Sequence, residues 1–334
     1  MVIERLSDIT FTNWADVVPS SGVEAIFNTS LTNTLAGNDT ITGISFGNRF
    51  SNSSYGIYNS STLNTAEGND IVMGVYNPTR YSSYGVYFGL LNNTENIILD
   101  NDDSPYLNND GNIMLPYGYG IYNLSTLVTG EDDDIIRGTN TAEVEGIYDP
   151  MGLVGIYNLG TINTGNGTDS LISDGKFINL GDVLLGEGND SIEVYTNLST
   201  YAIENYTTIE TGNGNDIITS YGFIYNEGTI DTGNGNDSII TNKGFWSDVN
   251  NLGSVLLGEG EDYIKGFGNG NFYGGDGNDT LELTSGSYTV WIGNTSATFT
   301  KGNQFMRTFE FEKFIAGGTT YDFISLTDGQ TIVS

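Results

Sequence analysis

The chain has 334 residues with no cysteine and no histidine, and its 42 acidic residues against 10 basic ones give a formal net charge of −32. Disulfides, thiolate metal sites, the usual kind of zinc site and imidazole acid–base catalysis are thereby excluded. So acidic a surface repels phosphate backbones and anionic lipid, which leaves cations as the expected partners and excludes nucleic acid.

Residues 1–25 open with MVIERLSDITFTNWADVVPSS, which has no continuous apolar stretch after a basic region and does not read as a Sec signal peptide. They are expected to form an N-terminal cap in which Phe11 and Trp14 cover the first coil of a repeat. No run of about 18 apolar residues marks a transmembrane span or membrane insertion.

From residue 26 to 283 the chain is that repeat. An asparagine stands eleven residues before an aspartate in nine units: Asn28/Asp39, Asn59/Asp70, Asn92/Asp103, Asn123/Asp134, Asn158/Asp169, Asn179/Asp190, Asn205/Asp216, Asn226/Asp237 and Asn251/Asp262. Asp279 closes a tenth loop without an asparagine partner. A fixed interval beside a variable one means that one rigid unit is stacked while the connections change length.

The clearest units, NLGTINTGNGTDSLIS (158–173) and NEGTIDTGNGNDSIIT (226–241), alternate β-branched and polar residues between Gly/Asn turns, with no helical period. Two residues before the asparagine the side chain is apolar, as at Ile26, Ile57, Leu90, Ile121, Ile156, Phe177, Ile203, Ile224 and Val249. Two residues after the aspartate it is nearly always aliphatic, as at Ile41, Val72, Ile136, Leu171, Ile192, Ile218, Ile239, Ile264 and Leu281. A third column falls four residues after the asparagine, from Leu63 to Val255, with Thr32 and Asn96 breaking it. The expected fold is all-β: an elongated parallel β-solenoid of about ten coils, roughly 50 Å long, with three inward columns as its core.

The first coils are lengthened by tyrosine-rich insertions at 51–59, 77–92, 115–123 and 145–158, expected to project from one edge of the rod. Their rings suit packing, or contact with sugar or protein. The asparagines are expected to form a structural ladder, amide to amide, from coil to coil.

The loops ahead of the aspartates read TGEDDD (129–134), TGNGTD (164–169), LGEGND (185–190), TGNGND (211–216 and 232–237), LGEGED (257–262) and GGDGND (274–279). They resemble the nonapeptide of the RTX (repeats-in-toxin) family, G-G-x-G-x-D followed by x, an aliphatic residue and x, which YGGDGNDTLEL (273–283) matches outright. The resemblance implies a calcium-binding β-roll in which the six-residue loop holds the ion. Oxygen-rich glycine turns suit that hard cation. Multiple Ca2+ ions are expected along one edge, with the closing aspartates as first ligands and the third loop positions as second. The ligand pairs are Asp134 with Glu131, Asp169 with Asn166, Asp190 with Glu187, Asp216 with Asn213, Asp237 with Asn234, Asp262 with Glu259 and Asp279 with Asp276. Asp39 and Asp70 are further expected ligands, but sites before Gly130 are expected to be weaker or missing, because TLAGND (34–39) carries Ala36 at the third position and ILDNDD (98–103) lacks both glycines. The first position departs from the family, being Thr or Leu in all of these loops but the last.

After Leu283 the loops stop, and residues 284–334 are expected to form a β-rich C-terminal cap. This segment is similar to the ends of RTX proteins that carry an uncleaved type I secretion signal. The resemblance extends to RTX-type surface proteins of cyanobacteria. It implies a secreted, extracellular or cell-surface structural or adhesive protein that folds on calcium and self-associates into fibrils. The alternatives are an adhesin for a cell-surface polysaccharide and a calcium-dependent polysaccharide-active enzyme. No catalytic role is expected, since Arg137, Lys243 and Lys265 lie near the loops in sequence only.

Overall fold

The computed structural model describes residues 154–196 and 201–334 throughout; before them it describes Ile9, Asp133, Asp134 and a series of strands between Glu4 and Asn140. The chain is a parallel β-solenoid of three-armed coils; in most of them each arm is a separate strand, while Ile57–Asn64 and Val86–Asn92 each run through two arms. In one coil the arms are Val154–Asn158, Thr161–Gly165 and Ser170–Asp174, and the next coil repeats them as Lys176–Asn179, Asp182–Glu187 and Ser191–Tyr195. Ile156 pairs with Phe177, Ile162 with Val183 and Leu171 with Ile192. The first two arms of every coil lie in one sheet and the third arm in another.

Strand periodicity builds the core. In Ser170–Asp174 the side chains alternate between buried and half-buried, so only every second residue points inward. Ile156, Ile162, Leu171 and their equivalents one coil on are fully buried, giving the three expected columns. Of the 13 strands in the second sheet, the first twelve stack in parallel, a rod of about 50 Å at ~4.8 Å per step. Among the described residues no helix is long and apolar enough to cross a membrane.

Two coils are set differently from the eleven-residue rule. Val86, not Leu90, pairs with Ile121, which puts Phe88 opposite Asn59 and Asn123 where Asn92 was expected. Leu91 then stands between Leu63 and Leu127, so Asn96 does not interrupt that column. Ile97 pairs with Val72 and Ile136; two residues before it stands Glu95, while Asp103 lies outside the described residues. Farther along, Phe245 rather than Val249 pairs with Ile224, so Ser247 follows in the place expected for Asn251. Both segments are rich in asparagine, and a side chain that met the spacing by coincidence masked the apolar residue that sets the register.

Buried amides mark one corner. Asn123 donates from Nδ2 to Asn158 Oδ1 at 2.8 Å, and Asn158 to Asn179, Asn179 to Asn205 and Asn205 to Asn226 follow at 2.9 Å each. The same amides reach main-chain carbonyls such as Gly160 and Thr229, so the turn is tied within and between coils.

Residues 1–25 contribute strands to both sheets: Glu4–Arg5 pairs in parallel with Ile26–Asn28, and Val17–Gly22 with Thr40–Ser45. At the other end Gln304–Phe309 stacks in parallel on Gly270–Gly277, and Lys313–Ala316 on Thr280–Glu282. Antiparallel strands Ser287–Ile292, Ala297–Lys301 and Thr331–Val333 close that end over buried Tyr288, Phe299 and Phe314. The chain after Leu283 thus continues both sheets before it turns antiparallel.

Candidate metal centre

From Thr161–Gly165 onward the second arm of each coil runs into the glycine-rich loop, and these loops stack on one another. Gly188 takes φ 139°, and a Cβ there would lie 1.5 Å from the Gly167 carbonyl oxygen of the coil before. Only glycine permits both that conformation and that approach. Main-chain bonds tie the loops across coils, as from Gly167 N–H to Glu187 O at 2.8 Å and from Gly188 N–H to Asn213 O at 2.7 Å.

This stacking carries the closing aspartates inward. Asp134, Asp169, Asp190, Asp216, Asp237, Asp262 and Asp279 are at most 2% exposed. Each Oδ1 from Asp169 onward accepts the main-chain N–H of the preceding aspartate, at 2.8 Å from Asp134 to Asp169 and from Asp169 to Asp190. The series continues through Asp216, Asp237, Asp262 and Asp279 at 2.7 to 3.0 Å. Glu312 ends it, accepting the Asp279 N–H at 2.8 Å. The second oxygens, Oδ2 of Asp169, Asp190, Asp216, Asp237, Asp262 and Asp279, are buried without a hydrogen-bond partner.

A column of unpartnered buried carboxylate oxygens is electrostatically unfavourable. Burial, reinforced by the charges of Asp169 and Asp216, pushes Asp190 up to about 7. Burial likewise carries Asp237 to about 7 and Asp279 to about 6, each with help from adjacent carboxylates. Asp169, Asp216 and Asp262 are raised for the same first reason. Thr164, Thr211 and Thr232, at the first loop position, are buried beside the carboxylates of Asp169, Asp216 and Asp237. Their hydroxyl protons go to the next coil, as from Thr211 Oγ1 to Thr232 O at 3.1 Å, so the hydroxyl oxygen faces the carboxylate as a second hard donor.

The third-position side chains stand apart from this column. Asn166, Glu187, Asn213, Asn234, Glu259 and Asp276 are exposed, and they form an outer ladder in which Asn213 donates to Glu187 at 2.7 Å and Asn234 donates to Asn213. The structure therefore separates the two expected ligand sets: aspartates inside the turn, third positions outside it. Asp39, Asp70 and Glu131 lie outside the described residues. Glu312 was not anticipated, although Glu312-Lys313-Phe314 repeats the spacing of acid, any residue and apolar residue that follows every loop.

Among the described residues no three His, Cys, Asp or Glu side chains converge to hold a metal ion. Each candidate position rests on one buried carboxylate oxygen beside a threonine hydroxyl or main-chain oxygens, a hard, all-oxygen set of the kind that calcium takes. The donors fit that ion in the threonine loops and in the Gly274 loop. They fit less well where Leu185 and Leu257 fill the first position with an apolar group.

A second feature runs along the first sheet. Phe27, Tyr58, Tyr87, Tyr122 and Tyr157 share one register position, which continues through Ile178 and Glu204 to Tyr225 and Trp246. Several tyrosines of the insertions therefore belong to strands of the sheet. Around Tyr225, Tyr201 and Tyr206 stand with ring centroids 5.1 and 5.5 Å away.

No protein-family model matches the chain, and no curated protein matches it significantly. Among solved structures, a hyperactive, Ca2+-dependent, β-helical antifreeze protein from an Antarctic bacterium is similar over 82% of this chain and 78% of its own, at 18% identity and a TM-score of 0.32.

Proposed function

We propose that this protein is a calcium-dependent structural rod of a bacterial cell surface or extracellular matrix, exported by type I secretion and folded by calcium outside the cell. The observation that carries the reading is the column of Oδ2 atoms, buried, without hydrogen-bond partners and one coil apart. Without a counter-ion those carboxylates repel one another or take up protons; with calcium between the coils their repulsion becomes attraction, and metal binding becomes folding free energy. The net charge of −32 works the same way, opposing compaction where calcium is scarce. Self-association into fibrils belongs to this reading as a second step, after the rod has formed.

The test is a calcium titration of chelator-treated protein followed by β-sheet circular dichroism and electron microscopy. A cooperative gain of sheet or of thermal stability supports the reading, and filaments appearing with it support assembly. Sheet content and stability identical in chelator and in calcium would sink it.

A second reading, an adhesin for a cell-surface polysaccharide, draws on the aromatic register position that runs from Phe27 to Trp246. Aromatic rings present flat apolar faces that suit pyranose C–H surfaces. Glycan-array binding by the calcium-loaded rod, lost on Tyr225→Ala and Trp246→Ala, is its test.

A further inference from the structure

The loop that closes at Asp279 differs from the others at its first position. Gly274 stands where the loops before it carry the buried side chains Thr164, Leu185, Thr211, Thr232 and Leu257. A Cβ on Gly274 would lie 2.7 Å from Asp279 Oδ2 and 2.0 Å from the Glu310 carbonyl oxygen. Two oxygens thus converge where every preceding described loop places carbon or a hydroxyl. One of them is the buried Oδ2 without a hydrogen-bond partner.

The chain after the last coil supplies the rest. Glu310 takes φ 57°, the one positive φ outside glycine among the described residues, in a conformation that L side chains adopt at a cost. That backbone turn brings its carbonyl to Gly274 and carries the chain on to Glu312, whose Oε2 accepts the Asp279 N–H at 2.8 Å. Elsewhere in the column the next coil provides that acceptor through a buried aspartate; here the acceptor is an exposed glutamate with a longer side chain. Its second oxygen has the reach to turn toward an ion.

We propose that Asp279, the Glu310 carbonyl and Glu312 form a divalent-cation site at the junction of the solenoid and the C-terminal segment. It takes calcium more tightly than the loops before it and locks the end of the rod when filled. The proposal rests on the calcium reading above. It goes further in assigning ligands that lie outside the repeat and in ranking this position first. The strain at Glu310 fits the role, because an oxygen held in place before the ion arrives costs less to order on binding.

The experiment is calorimetric titration of Ca2+ into the chelator-treated full chain, for the wild type and for Glu312→Gln, Asp279→Asn and Gly274→Ala. Glu312→Gln keeps an oxygen for the Asp279 N–H and so tests the ligand with the main-chain bond intact. The expected result is that the tightest ion weakens at least tenfold in Glu312→Gln and Asp279→Asn and is lost in Gly274→Ala. In Glu312→Gln and Asp279→Asn the weaker binding, and the circular dichroism in chelator, stay as in the wild type; Gly274→Ala, whose Cβ would meet the Glu310 carbonyl oxygen at 2.0 Å, also loosens the last coil. Wild-type affinity for the first ion in Glu312→Gln and Asp279→Asn overturns the junction site while leaving the loop reading intact; Gly274 then serves only to let the Glu310 carbonyl pass. A wild type that binds no calcium overturns both.

Discussion

Asp190 accepts the main-chain N–H of Asp169 through Oδ1 at 2.8 Å, while its Oδ2 is buried with no hydrogen-bond partner. One carboxylate therefore does two separable things: it ties two coils together, and it holds a charge in a place that water does not reach. Asp190→Asn keeps the acceptor and removes the charge, whereas Asp190→Ala removes both. In chelator, Asn is expected to match or exceed the wild type in urea unfolding. Ala is expected to be less stable by about 1–3 kcal/mol, the usual cost of stranding a buried N–H. In calcium the wild type gains most and both variants fall behind it. An Asn variant that gains as much from calcium as the wild type removes Asp190 from the ligands.

The same column sets the response of the metal-free protein to pH. Asp190 and Asp237 sit near 7 when folded, against about 3.9 for an ordinary aspartate in the unfolded chain. The folded state thus holds protons that the unfolded chain releases, and their contribution to stability is complete below about pH 4 and lost as the pH rises through 7. In chelator the urea midpoint should be higher at pH 5 than at pH 8, and the Asp190→Asn/Asp237→Asn double variant should flatten that slope. Saturating calcium should invert the wild-type slope, because protons compete with the ion. A metal-free midpoint that rises from pH 5 to pH 8 contradicts the burial of these groups.

How far the sequence could be read depends on the same residues. The column two places after each aspartate, from Ile41 through Leu281, is aligned in the structure wherever the loop before it is regular. Its chemistry is unambiguous, with an aliphatic residue locked behind a glycine turn. The asparagine rule failed at Asn92 and Asn251 because a polar residue at the right spacing carries less information than the apolar residue that must be inside. Val86 and Phe245 set those registers. The inward direction of the aspartates and the outward direction of the third positions were not legible. A loop with two glycines at positive φ breaks the strand alternation from which facing is inferred. Glu312 escaped because it has a different side chain and no glycine loop ahead of it.

The loop glycines give a contrast in cost. Gly188 combines φ 139° with a Cβ position 1.5 Å from the Gly167 carbonyl, while Gly302 at φ 63° has nothing within 4 Å. Gly302→Ala is expected to lose about 1 kcal/mol, the conformational term alone. Gly188→Ala must also push two coils apart, so it should lose several kcal/mol or fail to form the coils on either side, with or without calcium. Paired urea unfolding curves decide this; equal losses at the two sites would mean that the loops are not stacked as closely as the structure has them.

The asparagine ladder makes the complementary case, in which polar groups are buried and satisfied. Asn205 accepts from Asn179 and donates to Asn226 and to the Thr229 carbonyl. At the next step the pattern ends: Asn226 donates to the Ser254 carbonyl, and Ser247 holds the following position with its hydroxyl buried and no hydrogen-bond partner. Asn205→Ala takes the donor from Asn226 Oδ1 and one of three acceptors from Asn179, which keeps the Thr207 hydroxyl and the Thr208 carbonyl, so about 1–3 kcal/mol is expected for the one stranded oxygen. Ser247→Ala removes a polar atom that already lacks a partner, so its effect should stay within about 1 kcal/mol and lean toward stabilisation. Both variants keep the calcium loops, so their calcium titrations should be unchanged once folded. A large loss at Ser247 would place an unseen partner at its hydroxyl and move the end of the ladder one coil farther along the rod.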